Sequence, residues 1–274
     1  MGKKIIFLDV DGTLCSYDFN RGEYVPESAV AAIHKARANG HLVFLSTGRS
    51  LSEISPQIHS IGFDGVVGGA GSFIQYRGEI LFKKTFSRQQ VEEVSSYLAQ
   101  AGIAYHLECN SGLYASDNMA QVIKIAMPFV DMKKDPYFMR QQPEFLCNRE
   151  DVNKISFTSV TRNYDEIYAD LSSRYHLVKA SWGPEIPGVW GGEISLPGVN
   201  KGSAIRWLLD YLKICPQDSF AFGDSMNDLE MFQVVDTAIA MGNSRHGVEA
   251  YAQYQTTDLD HGGIYNGMSH FGLI

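Results

Sequence analysis

The chain has 274 residues, 45% hydrophobic and 20% charged, enough apolar material for one large domain or two modest ones and unlike a disordered chain. Its 23 basic and 31 acidic residues leave a net charge of −8, spread along the sequence, which argues against a nucleic-acid or anionic-membrane surface built on clustered Lys and Arg. No apolar run approaches the roughly 18 residues of a membrane span, and Cys15, Cys109, Cys147 and Cys215 are too scattered for a zinc clip or a disulfide framework. A reduced, cytoplasmic protein is the simplest expectation.

The basic-then-apolar start is not read as a signal peptide, because Asp9 and Asp11 cut the apolar run and no small-residue cleavage site follows. Lys4–Asp9 instead has the pattern of a strand buried on both faces of a parallel sheet. Pro26 and Glu27 open a helix that puts Ala29, Ile33 and Ala36 on one face and ends at Gly40. Leu42–Ser46 reads as a second strand, Ser50–Ile61 as a helix and Gly65–Val67 as a third strand. This alternation predicts parallel strands joined by right-handed crossovers. Ser72–Tyr76 and Glu79–Lys83, flanking Arg77-Gly78, predict a hairpin.

From there the pattern changes. Ser87, with Gln90 three residues on, signals a capped helix running to Gln100 and stopped by Gly102. Ile103–Glu108 and Leu113–Ser116 predict a second hairpin, Asp117–Ala126 a helix, and Val152–Val160, Asn163–Tyr175 and His176–Trp182 a strand, a helix and a strand. Met127–Arg149 is punctuated by proline and gives no clear element. The doubly wound pattern resumes with a helix over Asn200–Lys213 and strands at Ser219–Gly223 and Thr237–Ala240. The expected division is a core of residues 1–84 and 190–274, interrupted by an α+β insert of residues 85–189.

In an open α/β sheet, ligands bind at the carboxyl ends of the strands. The residues following the predicted core strands are Asp9, Thr47, Gly68, Asp224 and Met241. Asp11 follows on the turn Asp9-Val10-Asp11-Gly12-Thr13, and Asp228 lies one helical turn beyond Asp224. Four converging carboxylates would repel and raise one another's pKa values. A hard cation resolves that conflict, and an oxygen-only set without a His or Cys cluster favours Mg²⁺ over zinc. An Asp nucleophile beside such a cation suits phosphoryl transfer, where an anionic substrate must be neutralised before a carboxylate approaches. Lys201, at a helix start, adds a positive charge; Thr47 and the backbone amides of Val10 and Gly48 supply donors for phosphate oxygens.

Asp9-Val10-Asp11-Gly12-Thr13-Leu14, Ser46-Thr47-Gly48-Arg49, Val199-Asn200-Lys201-Gly202 and Gly223-Asp224-Ser225-Met226-Asn227-Asp228 resemble, in order, the four motifs of haloacid dehalogenase-superfamily phosphatases. The place and character of the insert resemble the large cap of the Cof-type branch, subclass IIB. The resemblance implies that Asp9 attacks phosphorus to form an aspartyl-phosphate, and that Asp11 protonates the leaving alcohol and then activates water. It implies that Thr47 and Lys201 hold the phosphoryl group with help from Asn227, and that Mg²⁺ is held by Asp9, the Asp11 carbonyl and Asp224. Asp228 is counted with the metal set, its preferred place being indirect, holding Lys201 or a metal-bound water.

Two departures from the family pattern, Ala70-Gly71-Ser72 for Asn-Gly-Ala and Gly262-Gly263-Ile264 for Asp-Gly-Val, bear on substrate choice more than on chemistry. Arg49 either meets substrate or neutralises nearby carboxylates. In the insert, His106, Glu108, Tyr114, Lys154, Lys179 and Trp182 are the polar or aromatic residues that could face a substrate.

The expected fold is α/β, a Rossmann-like three-layer core with a mainly parallel sheet plus an inserted α+β cap that closes over the site. The expected activity is Mg²⁺-dependent hydrolysis of a small phosphorylated metabolite, sugar phosphates first, then pyridoxal phosphate, flavin or nucleotide monophosphates. A phosphosugar mutase on the same scaffold and a non-catalytic phosphate-ligand sensor are the alternatives. No nucleic-acid or membrane partner is expected, and oligomeric state is not legible.

Overall fold

The computed structural model describes residues 2–18, 22–133, 138, 149–180, 186–245 and 247–274. Contacts divide the chain into two units, one formed by residues up to Gly48, Ser55–Lys83 and Asn200–Ile274, the other by Arg49–Ile54 and Lys84–Val199. In chain order the first unit begins with β1 (Ile5–Leu8), the hairpin β2 (Ser16–Asp18) and β3 (Gly22–Tyr24), and α1 (Glu27–Ala38). It continues with β4 (Leu42–Ser46), α2 (Pro56–Ile61), β5 (Gly65–Gly68), β6 (Phe73–Tyr76) and β7 (Glu79–Lys83). The second unit holds α3 (Arg88–Gln100), β8 (Ala104–Cys109), β9 (Gly112–Ala115), α4 (Met119–Ala126), β10 (Val152–Ser159), α5 (Tyr164–Leu171), β11 (His176–Lys179) and β12 (Trp190–Ser195). The first unit is completed by α6 (Lys201–Leu212), β13 (Ser219–Gly223), α7 (Leu229–Phe232), β14 (Thr237–Ala240), β15 (Tyr254–Gln255) and α8 (Gly263–His270).

The first unit is α/β. Its sheet runs β15-β14-β13-β1-β4-β5-β6-β7, parallel from β15 to β5 and antiparallel across the last two pairs. Ile5 and Phe7 pack in one cluster with Phe44, Ala204, Ile205 and Leu208, so one face of the sheet is covered by α6. Strand alternation turns Ile6 and Leu8 to the other face, where α1 lies on β4 and against α8. All four β1 side chains are fully buried, and each such aliphatic or aromatic group stabilises the unit by roughly 1.5–3 kcal/mol. Burial on both faces is why these strands carry no alternation in sequence.

The second unit is an antiparallel sheet ordered β11-β12-β10-β8-β9. Val91 and Leu98 of α3 and Ile167 of α5 pack with Leu107, Ile155 and Phe157 of the sheet. A smaller cluster joins Ala104 to Met119, Val122 and Ile123 of α4. The capping box expected at Ser87 and Gln90 forms, each residue's backbone N–H being bonded by the other's side chain. Among the described residues no helix is long and apolar enough to cross a membrane.

Two expectations are corrected. Ser50–Ile61 is not one helix: Leu51–Glu53 makes a short 3₁₀ turn and α2 starts afresh at Pro56. The proline ring disfavours helical geometry at Ser55, which is extended and accepts the Ile58 N–H as the cap of α2. The boundary at residue 190 also moves, since Trp190–Ser195 pairs with β10 and β11 and the chain returns only at Asn200. Gly191 and Gly192 had hidden that strand, yet a Cβ on Gly192 would lie 2.5 Å from the Phe157 ring, so the packing itself demands the glycine.

Candidate active site

Because β1, β4, β13 and β14 are parallel, Asp9, Thr47, Asp224 and Met241, each one residue past its strand, leave the sheet at the same edge. The loop after β1 turns sharply, with the Val10 carbonyl accepting the N–H groups of Leu14 and Cys15 at 3.0 and 2.9 Å and the Gly12 N–H donating to Cys15 O at 2.9 Å. Gly12 has φ +83°, and a Cβ there would stand 2.4 Å from Asp224 Oδ2. The absent side chain is therefore what lets the loop lie against Asp224. Thr13 Oγ1 lies 3.3 Å from Asp224 Oδ1, and the Asp11 side chain is exposed on the same turn.

Lys201 is the first residue of α6, whose N-cap Asn200 accepts the Ser203 N–H at 2.7 Å. Its ammonium is buried and lies 2.6 Å from both Asp9 Oδ1 and Asp228 Oδ1. Asp228 Oδ2 accepts the N–H groups of Asp224 and Ser225 at 3.0 and 3.3 Å, so both of its oxygens are occupied by protein donors. Thr47 is buried, its N–H donating to Val67 O and its carbonyl accepting the Ala70 N–H at 3.0 Å. Gly48 is half-buried at the point where the chain leaves the first unit, and Asn227 is exposed, its Oδ1 accepting the Ser225 hydroxyl at 2.6 Å.

Carboxylate oxygens of Asp9, Asp224 and Asp228 all lie within 4.8 Å of one another. Burial, then the Asp228 charge, pushes the Asp9 carboxyl well above the usual carboxylate range, with Lys201 opposing the shift. Burial and Asp228 likewise push Asp224 up to about 6. For Lys201, burial alone would lower the ammonium pKa, but Asp228 and Asp9 outweigh it and raise it. Three buried acids facing one buried base leave excess negative charge in an all-oxygen setting. A hard divalent cation fits that donor set, with Asp9 and Asp224 as the carboxylates less committed to protein donors than Asp228.

A residue that sequence reading passed over completes the arrangement. Asn243, two positions beyond Met241, donates from Nδ2 to the Gly12 carbonyl at 2.8 Å and accepts the Leu259 N–H on Oδ1 at 2.9 Å. In the same loop the Arg245 N–H donates to the Asp224 carbonyl at 2.8 Å. The one available signal was position, since β14 ends beside β13 and its loop must open at the same edge.

Arg49 belongs to the second unit, where its guanidinium donates to Glu53 O at 3.3 Å. Among the insert candidates, Lys154 is buried with Glu108 at 3.1 Å and Glu193 at 2.7 Å. Burial, reinforced by Glu53, raises the Glu108 carboxyl to about 8, and burial lowers His106 to about 3, keeping its ring neutral. Tyr114 lies under the Arg149 guanidinium, Lys179 is exposed over the Tyr164 ring, and Trp182 lies outside the described residues, as does Cys147.

The sequence profile of the haloacid dehalogenase-like hydrolases matches residues 6–268. The HMP-PP phosphatase of Cronobacter sakazakii is 27% identical over 274 residues, covering 92% of this chain and 94% of its own. The crystal structure of a hypothetical protein from Geobacillus kaustophilus HTA426 superposes with a TM-score of 0.82 at 25% identity, covering 100% of both chains. The HAD subclass IIB sugar phosphatase BT4131 superposes with a TM-score of 0.77 at 22% identity, over 99% of this chain and 100% of its own, a likeness of fold.

Proposed function

As the chain belongs to the haloacid dehalogenase-like hydrolases, we propose that it is a Mg²⁺-dependent phosphatase of small phosphate monoesters that works through an aspartyl-phosphate on Asp9. The observation carrying this reading is the buried Lys201 ammonium held 2.6 Å from Asp9, with Asp224 and Asp228 alongside. Lys201 fixes one Asp9 oxygen, and the other carboxylate oxygen is the nucleophile. It bonds to phosphorus as the P–O bond to the leaving group breaks, and the departing oxygen takes its proton from Asp11. Asp11, now a carboxylate, accepts a proton from water as that water attacks phosphorus and releases Asp9.

Lys201 and the Thr47 hydroxyl, with the amides of Val10 and Gly48 and the Asn227 side chain, hold the phosphoryl oxygens. Asp228 acts through Lys201 and through the Asp224 and Ser225 N–H groups that it accepts. Mg²⁺, held by Asp9, the Asp11 carbonyl and Asp224, supplies the charge neutralisation that lets a carboxylate approach a phosphate.

Sugar phosphates are the leading substrates. Phosphatase activity is supported by the name of the Cronobacter relative, an HMP-PP phosphatase. A reducing, cytoplasmic setting is part of this reading, on the scattered spacing of the four cysteines.

The test is a screen of sugar phosphates, pyridoxal phosphate, flavin and nucleotide monophosphates and HMP-PP, with and without Mg²⁺, comparing kcat/KM. Asp9→Asn is expected to lose at least 10³-fold on the best substrate. Activity of that variant within a few-fold of wild type contradicts the covalent route, and isomer formation in place of phosphate release would redirect the reading to a mutase.

A further inference from the structure

We propose that Asn243 is a positioning residue that holds the loop carrying Asp11 in the geometry from which the leaving group is protonated. The inference rests on the phosphatase reading above for its catalytic consequence, and on the loop geometry for everything else. The loop after β1 secures its own N–H groups: Gly12 donates to Cys15 O, and Leu14 and Cys15 donate to Val10 O. The Gly12 carbonyl, which links Gly12 to Thr13, is held instead from a stretch of chain 231 residues away, by Asn243 Nδ2 at 2.8 Å.

That hold matters because Gly12 sits at φ +83°. Glycine populates positive and negative φ about equally, so nothing intrinsic to the residue keeps its peptide in one orientation. The Asn243 amide is itself oriented, since its Oδ1 accepts the Leu259 N–H at 2.9 Å. Flipping it would set Nδ2 against that N–H and Oδ1 against the Gly12 carbonyl, two repulsive contacts replacing two attractive ones. The loop bearing Asn243 is anchored in turn, with the Gly242 N–H donating to Thr257 O at 3.1 Å and the Arg245 N–H to Asp224 O at 2.8 Å. One half-buried amide thus ties the turn next to Asp11 to the Leu259 segment, and its loop is tied to the backbone of Asp224 through the Arg245 N–H.

General-acid assistance counts most when the leaving oxygen is basic and least when it is a stabilised phenolate. A misplaced Asp11 therefore costs more on an alkyl phosphate than on p-nitrophenyl phosphate, whereas a general loss of folded or competent enzyme lowers both alike. Asn243→Ala and Asn243→Asp are compared with wild type in Mg²⁺. The aspartate variant keeps an acceptor for Leu259 but sets a charged carboxylate oxygen against the Gly12 carbonyl in place of the donor, so it tests the same contact if the alanine variant does not fold. Hydrogen exchange over residues 10–15 is followed in parallel on the metal-free proteins.

The expected result is a kcat/KM loss at least tenfold larger for the alkyl phosphate than for p-nitrophenyl phosphate, with faster exchange across 10–15. Equal losses on the two esters, or exchange at the wild-type rate, overturns the assignment. Failure of the phosphatase reading shows itself separately, as wild-type protein that hydrolyses neither ester; it removes the catalytic half of the inference, while the exchange measurement still decides whether Asn243 holds the loop.

Discussion

Lys201 Nζ stands 2.6 Å from Asp9 Oδ1, joining residues 192 positions apart inside a site where both side chains are almost wholly buried. The same ammonium also neutralises Asp228, so one lysine serves two buried acids.

Removing that lysine leaves both acids without their cation. Breaking a buried pair by deleting one partner costs about 3–5 kcal/mol, because the remaining charge is uncompensated. Lys201→Met is expected to lose stability of that order in urea denaturation of the metal-free protein, with part of it recovered on adding Asp228→Asn. A single-variant loss below about 1 kcal/mol means that the pair is not buried as described.

Cation binding reads out as heat resistance independent of turnover. A ligand that binds only the folded state stabilises it by about 1.4 kcal/mol at ten times its Kd. Mg²⁺ should therefore raise the melting temperature of the wild-type protein, and Asp224→Asn should abolish most of that rise. An undiminished rise in the variant would put the bound cation elsewhere.

Ala70 occupies the left-handed region at φ +53°, ψ 34°, while its N–H supports the Thr47 carbonyl. A side chain in that conformation is disfavoured by roughly 1–2 kcal/mol, less for Asn. Ala70→Asn should stabilise the protein by about 0.5–1 kcal/mol in chemical denaturation, while Ala70→Val should destabilise it. The reverse ordering would show that the strain is absent.

The Glu108 carboxyl titrates at about 8 in the fold against an ordinary 4.5, burial being the first cause. Between those two values the native state holds a proton that the unfolded chain has released, so stability falls as pH rises through the window. Below 4.5 the contribution is complete, and above 8 it is lost. Glu108→Gln should flatten this decline when melting temperature is followed from pH 5 to pH 9, with Lys154 keeping Glu193 as a partner at 2.7 Å. A variant with an unchanged slope would assign the pH dependence to other groups.

What could be read directly was whatever depends on short-range pattern. Runs such as Ile5–Leu8 and Leu42–Ser46 are apolar on both faces because both faces are covered, and that is visible residue by residue. The Ser87 cap is legible because its partner, Gln90, lies three residues away. Asp9, Thr47 and Asp224 were placed at one edge by a rule of parallel sheets that needs only strand order and direction. The strand at Trp190–Ser195 was not legible, because its Gly192 answers to Phe157 on a neighbouring strand and not to local preference.

By itself, then, the sequence determined the alternation of elements, the parallel core and the acids that gather at its edge, since these follow from burial and from chain direction. The tertiary structure alone decided that Lys201 reaches Asp9 as well as Asp228, and that Asn243 reaches Gly12. Those are hydrogen bonds of about 3 Å between distant stretches of chain, and side-chain direction at that precision is set by packing, which no local pattern encodes.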